Sequence, residues 1–201
     1  MFLYGRRIMA RSKEFDEKQT LKKAMELFWE QGYEKTSMQD LVDHMGIHRR
    51  SIYDTFGDKR TLFLSALTYY EEFITTKLML RLERDLPTKQ KIQEVFMFVI
   101  NSKVDSDYPK GCLTVNTAVE LSLLDEEIAQ IISDMFSRTE NLFYNLLIQG
   151  QNKGEISNEH NPELLSLYLN NTLVGLRVLV KTNYNSKNIE NIVDLTLSVL
   201  D

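Results

Sequence analysis

Thr36-Ser-Met-Gln-Asp-Leu-Val-Asp-His-Met-Gly-Ile-His-Arg-Arg-Ser-Ile-Tyr-Asp-Thr-Phe-Gly-Asp-Lys59 is the stretch that decides the fold. Ser37, with Asp40 three residues later, has the form of a capping box. Met38, Leu41, Val42 and Met45 then fall on one side of a short helix, which Gly46 ends. A second short helix starts near His48 and runs to Phe56, with Ile52 and Phe56 four apart and facing inward. Gly57 stops it, and Asp58 caps the next helix. Two short helices joined by a tight glycine turn form a helix-turn-helix.

Upstream, Asp16 caps a helix whose Leu21, Ala24, Met25 and Phe28 form one apolar stripe, stopped by Gly32. The three helices make one unit. On a helical wheel, the side of residues 49–56 opposite Ile52 and Phe56 presents Arg50, Ser51 and Asp54, with part of Arg49. Arginines at the start of an exposed helix suit bidentate contact with guanine or phosphate, although a charged face is often merely solvated. Thr36 and Ser37 place hydroxyls at a helix N-terminus, a natural phosphate site.

Residues 20–62 resemble the DNA-binding domain of the TetR family of bacterial repressors. The resemblance is carried by Ala24, Leu27, Phe28, Gly32-Tyr33, Thr36-Ser37-Met38, Leu41-Val42, Met45-Gly46-Ile47, Ser51-Ile52-Tyr53 and Phe56 through Leu62. It implies DNA contacts from the hydroxyl of Tyr53 and the ammonium of Lys59. Thr55 stands where the family often has His or Tyr, His48 where a small polar cap is usual, and Asp54 where an aromatic is frequent. Asp54 either repels phosphate or accepts from cytosine N4. The expected DNA-binding set is therefore Thr36, Ser37, Arg49, Arg50, Ser51, Tyr53, Asp54, Thr55 and Lys59. Residues 1–13, with Arg6, Arg7, Arg11 and Lys13, read as a flexible basic arm before a DNA-binding domain at 14–60.

Residues 61–201 read as a larger helical regulatory and dimerisation domain. Asp58 opens a long helix to about Asp85, carrying Tyr69, Tyr70 and Phe73. This helix starts beside the recognition helix and enters the larger domain, so it touches both. Further helices are expected from Thr88, over Cys112–Ser122, from Asp125, from Asn161-Pro162 to about Val180, and from Ser186 to Leu200, with a turn at Gly150–Gly154. Gly111-Cys-Leu resembles the opening of the sixth helix in a subgroup of the family. Cys112 is either a small core hydrophobe or a redox-sensing thiol.

The resemblance implies a small inducer bound in this half. Candidates for an apolar pocket with a few polar groups are Phe96, Asn116, Thr117, Phe136, Tyr144, Tyr168 and Asn171. The acidic balance of the half favours a neutral or cationic ligand over an anion. Its last two helices are apolar nearly all round, which requires cover on both sides. The resemblance implies a four-helix homodimer seam, expected at Leu169, Leu173, Gly175, Leu176, Val193 and Leu197.

The rest of the composition fits. Eight glycines and three prolines in 201 residues point to an all-α chain. A net charge of −5 is unevenly spread: residues 1–60 carry 12 Lys/Arg against 10 Asp/Glu, and the remainder 12 against 19. One cysteine excludes an internal disulfide and fits a cytoplasmic protein. No apolar run approaches membrane length. No metal spacing, phosphate loop or nucleophile triad is present, so neither a cofactor nor catalysis is implied. The expectation is a non-enzymatic repressor that binds a palindromic double-stranded operator as a homodimer and leaves it when a small molecule binds. Activation in place of repression is equally compatible. The alternative is a helical ligand carrier or protein–protein adaptor without DNA binding, which has no need for the cations at Arg49, Arg50 and Lys59.

Overall fold

A computed structural model describes residues 15–101, 111–182 and 184–201. Among the described residues the chain is all-helical, in nine helices. They are α1 (Glu17–Gln31), α2 (Met38–Met45), α3 (Arg49–Phe56), α4 (Lys59–Leu82), α5 (Thr88–Asn101), α6 (Leu113–Leu121), α7 (Glu126–Asn152), α8 (Pro162–Leu179) and α9 (Ser186–Ser198). The basic arm and residues 102–110 lie outside the described residues.

The expected starts are the observed ones where a side chain fixes them. Asp16 accepts from the N–H groups of Lys18 (2.9 Å) and Gln19 (3.2 Å). At α2 the capping box is closed: Asp40 N–H donates to Ser37 Oγ (3.1 Å), and Ser37 N–H to Asp40 Oδ2 (2.8 Å). Gly46 takes the left-handed conformation (φ 73°, ψ 28°) that a tight α2–α3 turn demands.

Three boundaries differ from expectation. α4 ends at Leu82, short of Asp85. α9 is capped by Asn185, whose side chain accepts from Lys187 N–H, in place of Ser186. α7 does not turn at Gly150 but continues to Asn152. A Cβ at Gly150 would lie 2.8 Å from Ile156 and 2.9 Å from Thr88, so this glycine marks a close approach of the α7 end to α5.

Two apolar clusters form the core. One joins α1, α2, α3 and the first half of α4 to α6 and the start of α7, around Phe28, Leu41, Ile52, Phe63, Leu113 and Ile132. The other joins the end of α4 to α5, the second half of α7, α8 and α9, around Ile92, Phe96, Phe143, Leu173 and Val193. The expected boundary at residue 60 falls inside the first cluster, because Leu62, Phe63, Ala66 and Tyr70 pack with α1. Helices α4 and α7 run through both clusters and tie the recognition unit to the larger domain.

Polar contacts reinforce that tie. Arg60, at the start of α4, donates to both carboxylate oxygens of Asp125 (2.9 and 3.1 Å) and to Glu127 (2.6 Å). Asp125 also caps α7 by accepting from Ile128 N–H. Glu120 of α6 accepts the N–H groups of Tyr33 (3.0 Å) and Glu34 (2.8 Å) in the turn after α1. No described helix is long and apolar enough to cross a membrane.

Candidate nucleic-acid interface and effector cavity

Helix α3 is pinned by one side and open on the other. Ile52 and Phe56 are buried against the first core, while Arg49, Arg50, Tyr53 and Asp54 are exposed and Ser51 and Thr55 half-buried. Tyr53 is 47% exposed, so its ring belongs to the surface and not to the core. His48 precedes α3 without a side-chain capping hydrogen bond, unlike Ser37 at α2 and Asp58 at α4. The positive end of the α3 dipole therefore faces outward beside two arginines, a favourable setting for phosphate.

Asp54 lies 3.5 Å from Arg50, one turn apart on an exposed face. Such a pair is weak in water and yields readily to a stronger partner. Its geometry directs the Asp54 carboxylate at Arg50. Lys59 Nζ sits 4.2 Å over the Tyr33 ring, which holds the ammonium at the start of α4, beside the end of α3.

One sequence expectation needs correction at the start of α2. Thr36 is buried, and its hydroxyl donates to the Gly32 carbonyl (2.6 Å). The Ser37 hydroxyl is engaged by Asp40 N–H. The Thr36 hydroxyl is committed to building the turn; Ser37 is exposed and its hydroxyl, an acceptor in the capping box, keeps its own O–H at the helix start, beside the Asp40 carboxylate. The outward donors concentrate on α3 and Lys59.

The larger domain holds two adjoining cavities, of about 150 and 200 Å³, which share Tyr70, Ile74, Phe98, Val99, Cys112 and Arg177 in their walls. They lie between α4, α5 and α8, with α7 walling the first; Cys112, preceding α6, lines both. Tyr70 is buried and its hydroxyl donates to Cys112 Sγ (3.3 Å). Burial raises the Cys112 thiol. The Arg177 charge, the Tyr70 hydroxyl, the Val115 N–H and the Thr114 hydroxyl outweigh it and leave the thiol below its usual range. Burial, with the neighbouring sulfur, pushes the Tyr70 phenol well above its ordinary value, so the proton stays on tyrosine.

None of the seven expected ligand residues lines either cavity. Phe96 is fully buried and stacks on Phe143 (5.7 Å). Thr117 is buried in α6, and Phe136 packs on the first core. Asn116 is a connector: it accepts from Lys181 Nζ (2.7 Å) and donates to the Trp29 carbonyl (3.5 Å). Tyr144 is half-buried on α7, away from both cavities. Tyr168 and Asn171 are exposed on the outer face of α8. Aromatic spacing alone cannot separate a pocket wall from core. The sequence signal that does point to the cavity is Arg177, the charge interrupting the apolar run of α8.

The expected seam residues also need correction. Leu169, Leu173, Leu176, Val193 and Leu197 are all buried within the second core of the single chain. Their place on the outer face is taken by Leu164, Leu167, Tyr168 and Val178 of α8 and Leu195 of α9, all well exposed. Gly175 does lie outward, with nothing within 4 Å of a Cβ built there. In apolar helices the side that meets the chain's own core takes the most regular stripe, and the surplus faces out.

Comparison with known proteins agrees with this layout. Residues 21–66 match the family model for bacterial regulatory proteins of the tetR family, and residues 88–194 the tetracyclin repressor-like C-terminal domain. The chain is 38% identical over 194 residues to the uncharacterized HTH-type transcriptional regulator YezE of Bacillus subtilis (strain 168), covering 96% of this chain and 100% of that protein. It is 29% identical to the HTH-type transcriptional repressor ComR of Escherichia coli (strain K12), over 93% of this chain and 90% of ComR. In fold it is similar to a cysteine mutant of the TetR family regulator CifR complexed with 26bp double-strand operator DNA. The TM-score is 0.86 at 24% identity, covering 96% of this chain and 100% of that one.

Proposed function

Because the chain belongs to the tetR family of bacterial regulatory proteins, we propose that it represses transcription as a homodimer on a palindromic operator and is released when a small molecule fills the cavities beside α4. It is a helix-turn-helix transcriptional regulator, in a family of regulators and not of enzymes. The observation that carries the reading is the open face of α3: Arg49, Arg50 and Tyr53 exposed, uncapped at the start, and held rigid by buried Ile52 and Phe56. Arg50 and Ser51 read bases, while Tyr53 and Lys59 fix position on the phosphates. Thr36 supports the turn from within, while exposed Ser37 caps α2 and offers its O–H to a phosphate.

The apolar stripe of Leu164, Leu167, Val178 and Leu195, with Gly175 between, supports a two-fold seam in which two α8 and two α9 helices meet. Release arises from the shape of α4. This helix begins at Lys59 beside α3 and carries Tyr70, Ile74 and Leu78 into the cavity walls. An effector that fits better when α4 is tilted separates the two recognition helices and spoils their spacing on successive major grooves.

Selection of binding sequences from a random double-stranded DNA pool tests the reading. The expected product is a two-fold symmetric site, with half-site centres about 34–36 Å apart or a multiple of that. Enrichment of no sequence over the starting pool overturns it.

A further inference from the structure

The cavities oppose the charge of the domain that contains them. The whole chain is net −5, yet among the described residues the walls of the two cavities carry four cations, Lys77, Arg81, Arg138 and Arg177, and a single carboxylate, Glu71. Glu71 is already engaged, in a two-pronged ion pair with Arg138. Arg81 has Glu94 at 4.0 Å and the Phe98 ring at 5.1 Å. Arg177 differs: it is half-buried, borders both cavities, and no described carboxylate lies within ion-pair distance of it. A guanidinium withdrawn from bulk water and left without a carboxylate is a recognition group for a planar anion, because its paired N–H donors match a carboxylate.

The remaining wall is apolar and aromatic. Trp29, Tyr70, Phe73, Ile74 and Phe98 surround the space beside Arg177. A space of about 150 Å³ is large enough for a benzene-sized ring. The lowered Cys112 thiol and the Arg177 charge beside it are consistent with a positive local potential.

Building on the release mechanism proposed above, we infer that the effector is a small carboxylate with a compact aromatic body, its ring between Tyr70, Phe73 and Phe98 and its carboxylate on Arg177. The acidic balance of residues 61–201 predicts the opposite preference, but of the described carboxylates only Glu71 lines the cavities. What the ligand meets is the wall, and there Arg177 is without a described carboxylate.

Three probes with one ring and three charges test this on the full chain: benzoate, benzamide and benzylamine. Trp29, the single tryptophan, lines the second cavity, so its fluorescence reports occupancy directly. Benzoate is expected to give a saturable change with affinity about tenfold or more above benzamide, the size of a charge-assisted hydrogen bond, and benzylamine to bind more weakly than either. Arg177→Met keeps the apolar stem and is expected to remove the preference for acid over amide while leaving benzamide binding within about twofold. Benzamide or benzylamine matching benzoate, no saturable response to benzoate, or an acid preference that survives Arg177→Met overturns the inference. The wild-type series decides alone if the variant does not fold. Operator affinity measured with each probe separates this inference from the reading beneath it. Arg177-dependent benzoate binding that leaves operator affinity unmoved keeps the ligand class and defeats release. Release by the amide or amine but not by the acid keeps release and defeats the ligand class.

Discussion

The carboxylate of Glu120, in α6, accepts the backbone N–H of Tyr33, in the turn before α2, at 3.0 Å, and its other oxygen takes Glu34 N–H at 2.8 Å. A side chain of the larger domain thus finishes the end of α1, and a carboxylate at paired N–H donors is a charge-assisted contact. Gly32 is required beside it. Its φ of +85° favours glycine, and a Cβ there would lie 2.8 Å from Glu120 Oε2. Glu120→Ala is expected to lower stability by about 1–3 kcal/mol through the lost acceptor. The readout is the urea midpoint at unchanged slope. A midpoint indistinguishable from wild type would show that water replaces the carboxylate without cost.

Arg50 and Lys59 are expected to separate in their effect on DNA. Arg50→Ala costs about 1–3 kcal/mol on the selected operator and relaxes preference at one base pair. Lys59→Ala weakens operator and random DNA alike and reduces the salt slope by about one unit. Asp54→Asn frees Arg50 from its 3.5 Å neighbour and raises affinity for random DNA more than for the operator. Fluorescence anisotropy across a salt series measures all three. Equal losses on both DNAs for Arg50→Ala would reverse the assigned roles.

The helix boundaries were legible where one side chain decides them. Asp16, Ser37, Asp58, Asp125 and Asn161 each mark the start of a helix and each accept backbone N–H groups there. The exposed face of α3 was legible because Ile52 and Phe56 define its back. The outward apolar face of α8 and the walls of the cavities were not. Both depend on which of several apolar faces of α8 meets the chain's own core, and periodicity leaves that choice open when a helix is apolar nearly all round. Leu173 and Leu176 went inward with α5 and α7, which left Leu164, Leu167 and Val178 outside. Thr36 shows the same limit for a polar residue: its type fits a phosphate contact, and its burial assigns it to Gly32.

Acid is expected to loosen the fold through the capping carboxylates. Asp58 is held below the usual range first by Thr61 N–H, Asp125 first by Ile128 N–H, and Glu155 first by Thr88 N–H. A depressed folded pKa gives stability that is present above the unfolded value, near 4, and is lost as pH falls through the folded one. Thermal melts are therefore expected to be flat from about pH 7 to 5 and to fall below about pH 4. Asp58→Asn, which keeps an acceptor but removes the titration, is expected to shallow that fall. A melting temperature that drops between pH 7 and 5 instead would place the controlling group elsewhere.

Charges introduced on the two sides of α8 distinguish seam from core. Leu167 and Val178 are exposed at 51% and 46%, on the face that also carries Leu164 and the open Gly175. Leu173, at 0%, points the other way into the second core. Leu167→Glu with Val178→Glu is expected to yield a folded monomer, with a near-native helical spectrum and operator binding weakened at least about tenfold, because a single recognition helix spans only one half-site. Leu169→Glu is expected to unfold the larger domain instead, since Leu169 is fully buried in the second core and lines neither cavity, so a carboxylate there is buried without a partner, at a cost of several kcal/mol. Sedimentation at micromolar concentration and circular dichroism read both outcomes. If the double variant still sediments as a dimer, the stripe on α8 is not the seam. If the wild type sediments as a monomer, two half-sites are not bridged by this surface, and the palindromic operator loses its structural basis.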